Sequence, residues 1–390
     1  MQYNRLNDTS TNVTNTTVLQ DTHQPVPALY IGLMSGTSID GIDAALVDFS
    51  TAQPTLLNTH QLPWPTHLQN QIRAIAQGQP LTAAEFAQLD VELGHCFAEA
   101  ANQVSATRPK SDIQAIGTHG QTLAHAPNAT PGYSLQLGNP DVIVEQTGIT
   151  TVAHFRGRDI AAGGQGAPLV PAFHQALFHA DHENRIILNI GGIANITWLP
   201  RNAQQPVSGY DTGPGNCLLD AWIQHQQQRP FDQDGLYAQQ GCYQPALLQK
   251  LLADPYFSTI APKSTGTDYF SLTWLQQHIN HTNYHPADIQ ATLLALTAHS
   301  IIDAITQSHP QTDRILVCGG GWHNPILMAA LTDLSPYPIE STASYGLAPD
   351  WVEAVAFAWL AQQRIRQQPG NLAAVTGAKG SRILGGIYVG

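Results

Sequence analysis

The chain has 390 residues, 43% hydrophobic and 11% charged, with a formal net charge of −12. That length suits two domains of roughly 100–200 residues each, and the apolar content excludes a wholly disordered chain. Lys110, Lys250, Lys263 and Lys379 are the only lysines and no Lys/Arg run exists, which argues against binding to nucleic acid or anionic lipid through a basic stripe.

No stretch approaches the ~20 apolar residues of a membrane span. Residues 1–27 are polar and lack the apolar centre of a signal peptide, so they read as a flexible leader. Four scattered cysteines without a C-x-x-C pair imply reduced, mostly buried thiols in a cytoplasmic setting.

The first ordered element starts near Ala28. ALYIGLM reads as a strand, SGTS as a turn and DGIDAALVDF as a second strand. A similar unit recurs halfway along: RIILNI, the turn Gly191-Gly192, then IANITWL. Two such hairpins, each opening about 150 residues, suggest two related halves. Between them a helix is expected at 83–104, a strand at 113–117 and a long Gly/Pro/Thr-rich segment at 118–171. Asn216 before CLLDAWIQ and Asn324-Pro325 before ILMAAL have the chemistry of helix starts. Residues 291–305 and 350–363 read as buried helices. Alternating strands and helices make the chain an α/β protein.

No Walker A pattern and no full G-x-G-x-x-G occurs. The first hairpin tip, Gly36–Asp43 (GTSIDGID), could cradle phosphate through backbone N–H groups and hydroxyls, with Asp40 and Asp43 holding a cation through water. An ordinary Gly/Ser/Thr turn has the same composition. Asp211 in GYDTGPGN precedes a Gly/Pro turn and a helix start, so its carboxylate either faces a cleft or stabilises the turn. Gly319, Gly320 and Gly321 follow a strand; they offer a flat surface for an adenine ring, or a tight strand-to-helix turn. Glu353 is costly to bury in WVEAVAFAWL unless paired or functional, although Asp350 and Glu353 also fit a capping box. His119, Gln121, Arg156 and Arg158 could bind sugar or phosphate, or be structural. The histidines show no metal-ligand spacing.

Taken together, GLMSGTSIDGIDAALVDF, GTHGQTLAH, TGITTVAHFRGRDIAAGGQGAPLVPAFH, NIGGIANIT, GYDTGPGNCLLDAW, KSTGTDYF and CGGGWHNPIL resemble the anhydro-N-acetylmuramic acid kinases, in family order from about Ile31 to about Ala361. The resemblance implies a two-lobed actin-like ATPase fold, with duplicated mixed-sheet domains and ATP in the cleft between them. The expected division is a leader at 1–27, an N-terminal lobe at 28–155 completed by 364–390, and a C-terminal lobe at 156–363. The implied reaction is phosphorylation by ATP of O6 of 1,6-anhydro-N-acetylmuramic acid, coupled to hydrolytic opening of the anhydro ring. N-acetylmuramic acid 6-phosphate is the product, in cell-wall recycling.

By the same resemblance Asp211 is the catalytic base. ATP contacts are expected from Gly36, Thr37, Ser38, Ile39, Asp40, Gly41, Ile42 and Asp43, from Gly191 and Gly192, and from Gly319, Gly320, Gly321 and Asn324. His119, Gln121, Arg156 and Glu353 are expected on the sugar side. Mg²⁺ is the implied cofactor, with unassigned ligands, and a homodimer the implied assembly. His154 and Gly157 depart from the family pattern, which carries Asp and a basic residue there. If position 154 lined the sugar site, its imidazole would make sugar binding pH-dependent. The rival readings are another sugar kinase or an ATP-driven binding protein of the same fold, and a glycoside hydrolase using Asp211 and Glu353.

Overall fold

The computed structural model describes residues 28–36, 38–76, 78–261, 263–279 and 283–390. The leader and Thr37 lie outside the described residues.

The apolar run of β1 (Leu29–Met34) pairs antiparallel with β2 (Gly41–Asp48), and β3 (Thr55–Pro63) continues the meander. On the other side β4 (Ile113–Thr118) and β7 (Thr151–Ala153) extend the sheet in parallel, and β13 (Gly386–Tyr388) closes its edge antiparallel to β7. Between β4 and β7 a separate hairpin forms, β5 (Gln121–Ala126) with β6 (Tyr133–Leu137). The second sheet repeats the plan. β8 (Arg185–Ile190), β9 (Ile193–Leu199) and β10 (Ser208–Pro214) form the meander, and β11 (Arg314–Cys318) and β12 (Ile339–Ser341) add in parallel. The orders β3-β2-β1-β4-β7 and β10-β9-β8-β11-β12 match position by position. The fold is α/β with duplicated mixed sheets, as an actin-like ATPase requires.

Parallel strands need both faces covered, which explains the near-continuous burial of β1 and β8. Helix Ala83–Val104 covers one face of the first sheet, and its start is fixed by a Thr82–Glu85 capping box. Helix Pro286–Ser308 covers the second sheet. By length and composition it could cross a membrane, contrary to the expectation that no such stretch exists, but 67% of its apolar window is buried inside the protein.

Helix Val352–Ile365 joins the halves. It shares one core with Tyr30, Val47 and Val152 of the first sheet and with Ile187 and Leu316 of the second. Gly32 and Gly117 let it approach: a Cβ on either would stand 1.8 Å from Ala354 O or 2.1 Å from Phe357 O. Burying Phe357 alone is worth about 1.5–3 kcal/mol. The helix packs against both sheets, and those glycines leave room for its backbone on the first.

The Gly/Pro/Thr-rich residues 118–171 hold β5, β6, helix Pro140–Thr147 and β7. Some expectations need correction. Asn216 occupies the N-cap position of helix Cys217–Gln227 with helical backbone angles and no capping bond; its Nδ2 donates to Ile190 O instead. The Asp350–Glu353 capping box is absent because Trp351 stands at the N-cap and Asp350 pairs with His323. Of the cysteines, all free, only Cys318 is fully buried and Cys242 is exposed.

Candidate active site

Asp211 sits at a bulge in β10, where the pairing with β9 shifts between Asp211 and Gly213. Its backbone is held on both sides: the N–H donates to Lys263 O at 3.1 Å, and Tyr256 Oη donates to its carbonyl at 2.6 Å. The Thr265 N–H donates to Oδ2 at 3.0 Å. Among the described residues no group donates to Oδ1. Burial pushes the carboxyl up to about 6, against the lowering effect of the Thr265 N–H. A base with one fixed oxygen, one free oxygen and a pKa near neutrality is suited to taking a proton from water. The carboxylate lines a cavity of about 480 Å³ with His125, Gln165, Lys263, Ser264 and Thr265.

Five residues further on, Asn216 lines a second cavity of about 410 Å³ with Asp220, Asp232, Gly320, His323 and Asn324. The segment 211–216 therefore borders both cavities, which lie no more than about 16–18 Å apart along extended chain. The glycine triplet divides its work. Gly319 holds φ 83°, and a Cβ on Gly319 or Gly321 would meet Asn189 Oδ1 or Ile190 Cγ2 at 2.3 Å. Only Gly320 opens into free space. Two of the three glycines thus serve the tight turn against β8, and one leaves room for a ligand. Asn324 Oδ1 accepts from the Ile326 and Leu327 N–H groups, so this oxygen caps helix Pro325–Leu334.

The first hairpin tip is braced from below. Ser35 Oγ lies 2.7 Å from Gly41 O and 2.8 Å from Gln121 Oε1, and Gln121 Nε2 donates to Gly36 O at 3.4 Å. Buried His119 contacts Ser35 O through Nδ1 at 3.2 Å, while Arg156 Nη2 reaches its Nε2 at 2.7 Å. That pattern assigns a neutral Nδ1–H tautomer, and burial followed by the Arg156 charge lowers the imidazole to about 3. Arg156 also donates to Gly166 O at 2.7 Å. Both ring nitrogens of His119 meet protein partners, and the residue braces Ser35 beneath the tip.

Carboxylates gather below the same tip. Burial raises Glu353, with Asp43 adding to the rise and Arg156 opposing it; Asn189 Nδ2 donates to its Oε1 at 3.4 Å. Burial raises Asp43 to about 6, with Asp350 and Asp40 contributing. Asp220 rises to about 7 through burial and then the charge of Asp40. The charge of Asp40, on the first hairpin, is thus felt at Asp220 in the second half. Among the described residues no three His, Cys, Asp or Glu side chains converge as a metal cage. Asp40, Asp43 and Asp220 carry the hard carboxylate oxygens that a divalent cation takes, directly or through water.

The family model described as anhydro-N-acetylmuramic acid kinase matches residues 28–390. The chain belongs to that family. Relatives named anhydro-N-acetylmuramic acid kinase include one from Xanthomonas campestris pv. campestris strain 8004, 49% identical over 374 residues, covering 94% of this chain and 98% of the relative. Another, from Saccharophagus degradans, is 49% identical over 371 residues and covers 93% and 99%. A third, from Coxiella burnetii strain Dugway 5J108-111, is 48% identical over 364 residues and covers 93% and 97%.

Within this member of the kinase family, the structure gathers the residues singled out from sequence unevenly. Gly36, Gln121, His119, Arg156, Asp43 and Glu353 form one connected group. Asp211 stands on one cavity, and Gly320 and Asn324 on another. The turn at Gly191 and Gly192 is spent partly on the fold, since Gly191 O accepts from Asn216 N–H and Gly192 O from Gly215 and Cys217 N–H. His154 and Gly157 line a different cavity that shares no residue with that of Asp211. Sequence reading missed Thr265, Lys263 and Tyr256. KSTGTDYF was the available signal, a Gly/Ser/Thr loop with one of only four lysines.

Proposed function

We propose that this chain is an ATP-dependent kinase that converts 1,6-anhydro-N-acetylmuramic acid to N-acetylmuramic acid 6-phosphate. The observation that carries this reading is the Asp211 carboxylate, held by Thr265 and facing a cavity at the start of a segment that borders the Gly320 cavity. Asp211 takes a proton from water as its oxygen attacks the anomeric carbon. The bond from that carbon to the bridge oxygen breaks, and the released O6 attacks the γ-phosphorus of ATP. ADP leaves; one water and one phosphoryl group are gained by the sugar.

The two sheets form lobes on either side of ATP in this reading. The first lobe comprises 28–155 completed by about 364–390, and the second lobe 156–363. Backbone groups of the tip from Gly36 to Asp43 hold phosphates, Gly320 and Asn324 border the adenosine, and Gln121, Arg156 and Glu353 fix the tip and the cleft floor. Asp40 and Asp43 would hold Mg²⁺ through water, and the ion would neutralise charge on the phosphates. The working form is a homodimer in the cytoplasm.

The test is incubation with Mg²⁺-ATP and the anhydro sugar, read by mass spectrometry. A product heavier by one phosphoryl group and one water supports the proposal. Free phosphate released without sugar modification would assign an ATP-driven binding protein, and ring opening without nucleotide a glycoside hydrolase.

A further inference from the structure

The chain carries a net charge of −12, yet residues 354–390 contain no Asp or Glu and include Arg364, Arg366, Lys379 and Arg382. This cationic tail folds back along residues 151–163: β13 pairs with β7, and the Lys379 N–H donates to Ala162 O at 2.9 Å. A cavity of about 570 Å³ opens on that seam. His154, Arg158 and Arg364 line it together with Ile383, and no carboxylate does.

Arg364 donates Nε to Gly385 O at 2.9 Å, which fixes the guanidinium. Its terminal nitrogens, and the whole Arg158 guanidinium, have no hydrogen-bond or ion-pair partner among the described residues. His154 is exposed and held at φ 59° with its ring 6.1 Å from that of Tyr388. A non-glycine residue persists in that region only where its surroundings dictate it. Here buried Phe155 follows immediately, while His154 itself lines the cavity. Two guanidinium groups border one concavity with no carboxylate in its lining, and their planar forks match phosphate oxygens.

We propose that this cavity is a binding site for a phosphate group, separate from the catalytic cavity. Inorganic phosphate and a sugar phosphate monoester share the chemistry that would be recognised.

Phenylglyoxal labelling of the full chain, mapped by mass spectrometry, reads Arg158 directly, with Arg73, exposed on helix Thr66–Ala76, as an internal control. Inorganic phosphate or N-acetylglucosamine 6-phosphate is expected to slow labelling of Arg158 by about fivefold or more, while Arg73 is unchanged and sodium chloride at equal ionic strength has no effect. Protection by inorganic phosphate assigns the site to the free ion, and protection by the monoester alone to the sugar phosphate. The exposed substitution Arg158→Gln should weaken phosphate binding about tenfold in calorimetry and leave turnover unchanged. Equal labelling of Arg158 with and without both anions would overturn the proposal.

Discussion

The Thr265 N–H meets Oδ2 of Asp211 at 3.0 Å and leaves Oδ1 without a protein donor among the described residues. One oxygen is used for orientation and the other is available for a proton. Asp211→Asn keeps the shape and the Thr265 bond but cannot accept that proton. Sugar phosphorylation is expected to fall by about 10²–10⁴-fold with ATP affinity retained. Turnover within threefold of wild type would remove Asp211 from the mechanism.

The same residue predicts two pH effects of known sign. The base must be ionised, so kcat/KM should rise about tenfold per pH unit below 6 and level off above it. Burial raises the folded-state pKa from the ordinary 3.8 to about 6. The protonated form therefore favours folding below about pH 3.8, and this contribution is lost as pH rises through 6. Asp211→Asn should melt higher than wild type at pH 7.5, with the difference vanishing near pH 3.5. A lower melting temperature at pH 7.5 would show that the carboxylate is structurally required.

Gly36 and Gly32 make a contrasting pair. A Cβ on Gly36 meets only Ser38 Oγ at 3.7 Å, whereas one on Gly32 would collide with Ala354 O. Gly36→Val should melt cooperatively and lose ATP binding in calorimetry, because bulk then stands where phosphate must approach. Gly32→Val should fail to fold stably. Unchanged ATP affinity in Gly36→Val would mean that the phosphates are held elsewhere.

Local signals made much of the fold readable. Small residues between apolar runs marked both hairpin tips, and IANITWL became β9 residue for residue. The helix at 83–104 is bounded as its pattern predicts. What stayed hidden depends on contacts distant in sequence. Nothing local tells that Gly386–Tyr388 pairs with β7, or that Asp350 is taken by His323 and so cannot cap its own helix. Asp211 stood out by its turn, but Thr265 acts through a backbone N–H, which any residue at that position would supply. His119 and Arg156 were legible as polar groups; their mutual bond was not.

That bond yields a further prediction. Arg156→Gln removes the donor to His119 Nε2 and to Gly166 O, leaving buried acceptors unpaired at about 1–3 kcal/mol each. The melting temperature should fall and KM for ATP should rise, because His119 braces Ser35 at the tip. Arg156→Lys should rescue stability in part. A loss confined to sugar KM, with unchanged stability, would instead place Arg156 against the substrate.

In the proposed reaction one aspartate couples ring opening to phosphoryl transfer. Running the reaction in ¹⁸O-water and fragmenting the product by mass spectrometry tests it most directly. Attack of water on the anomeric carbon predicts one ¹⁸O in the anomeric hydroxyl and none in the transferred phosphate. Label in the phosphate, with an unlabelled anomeric oxygen, would contradict it.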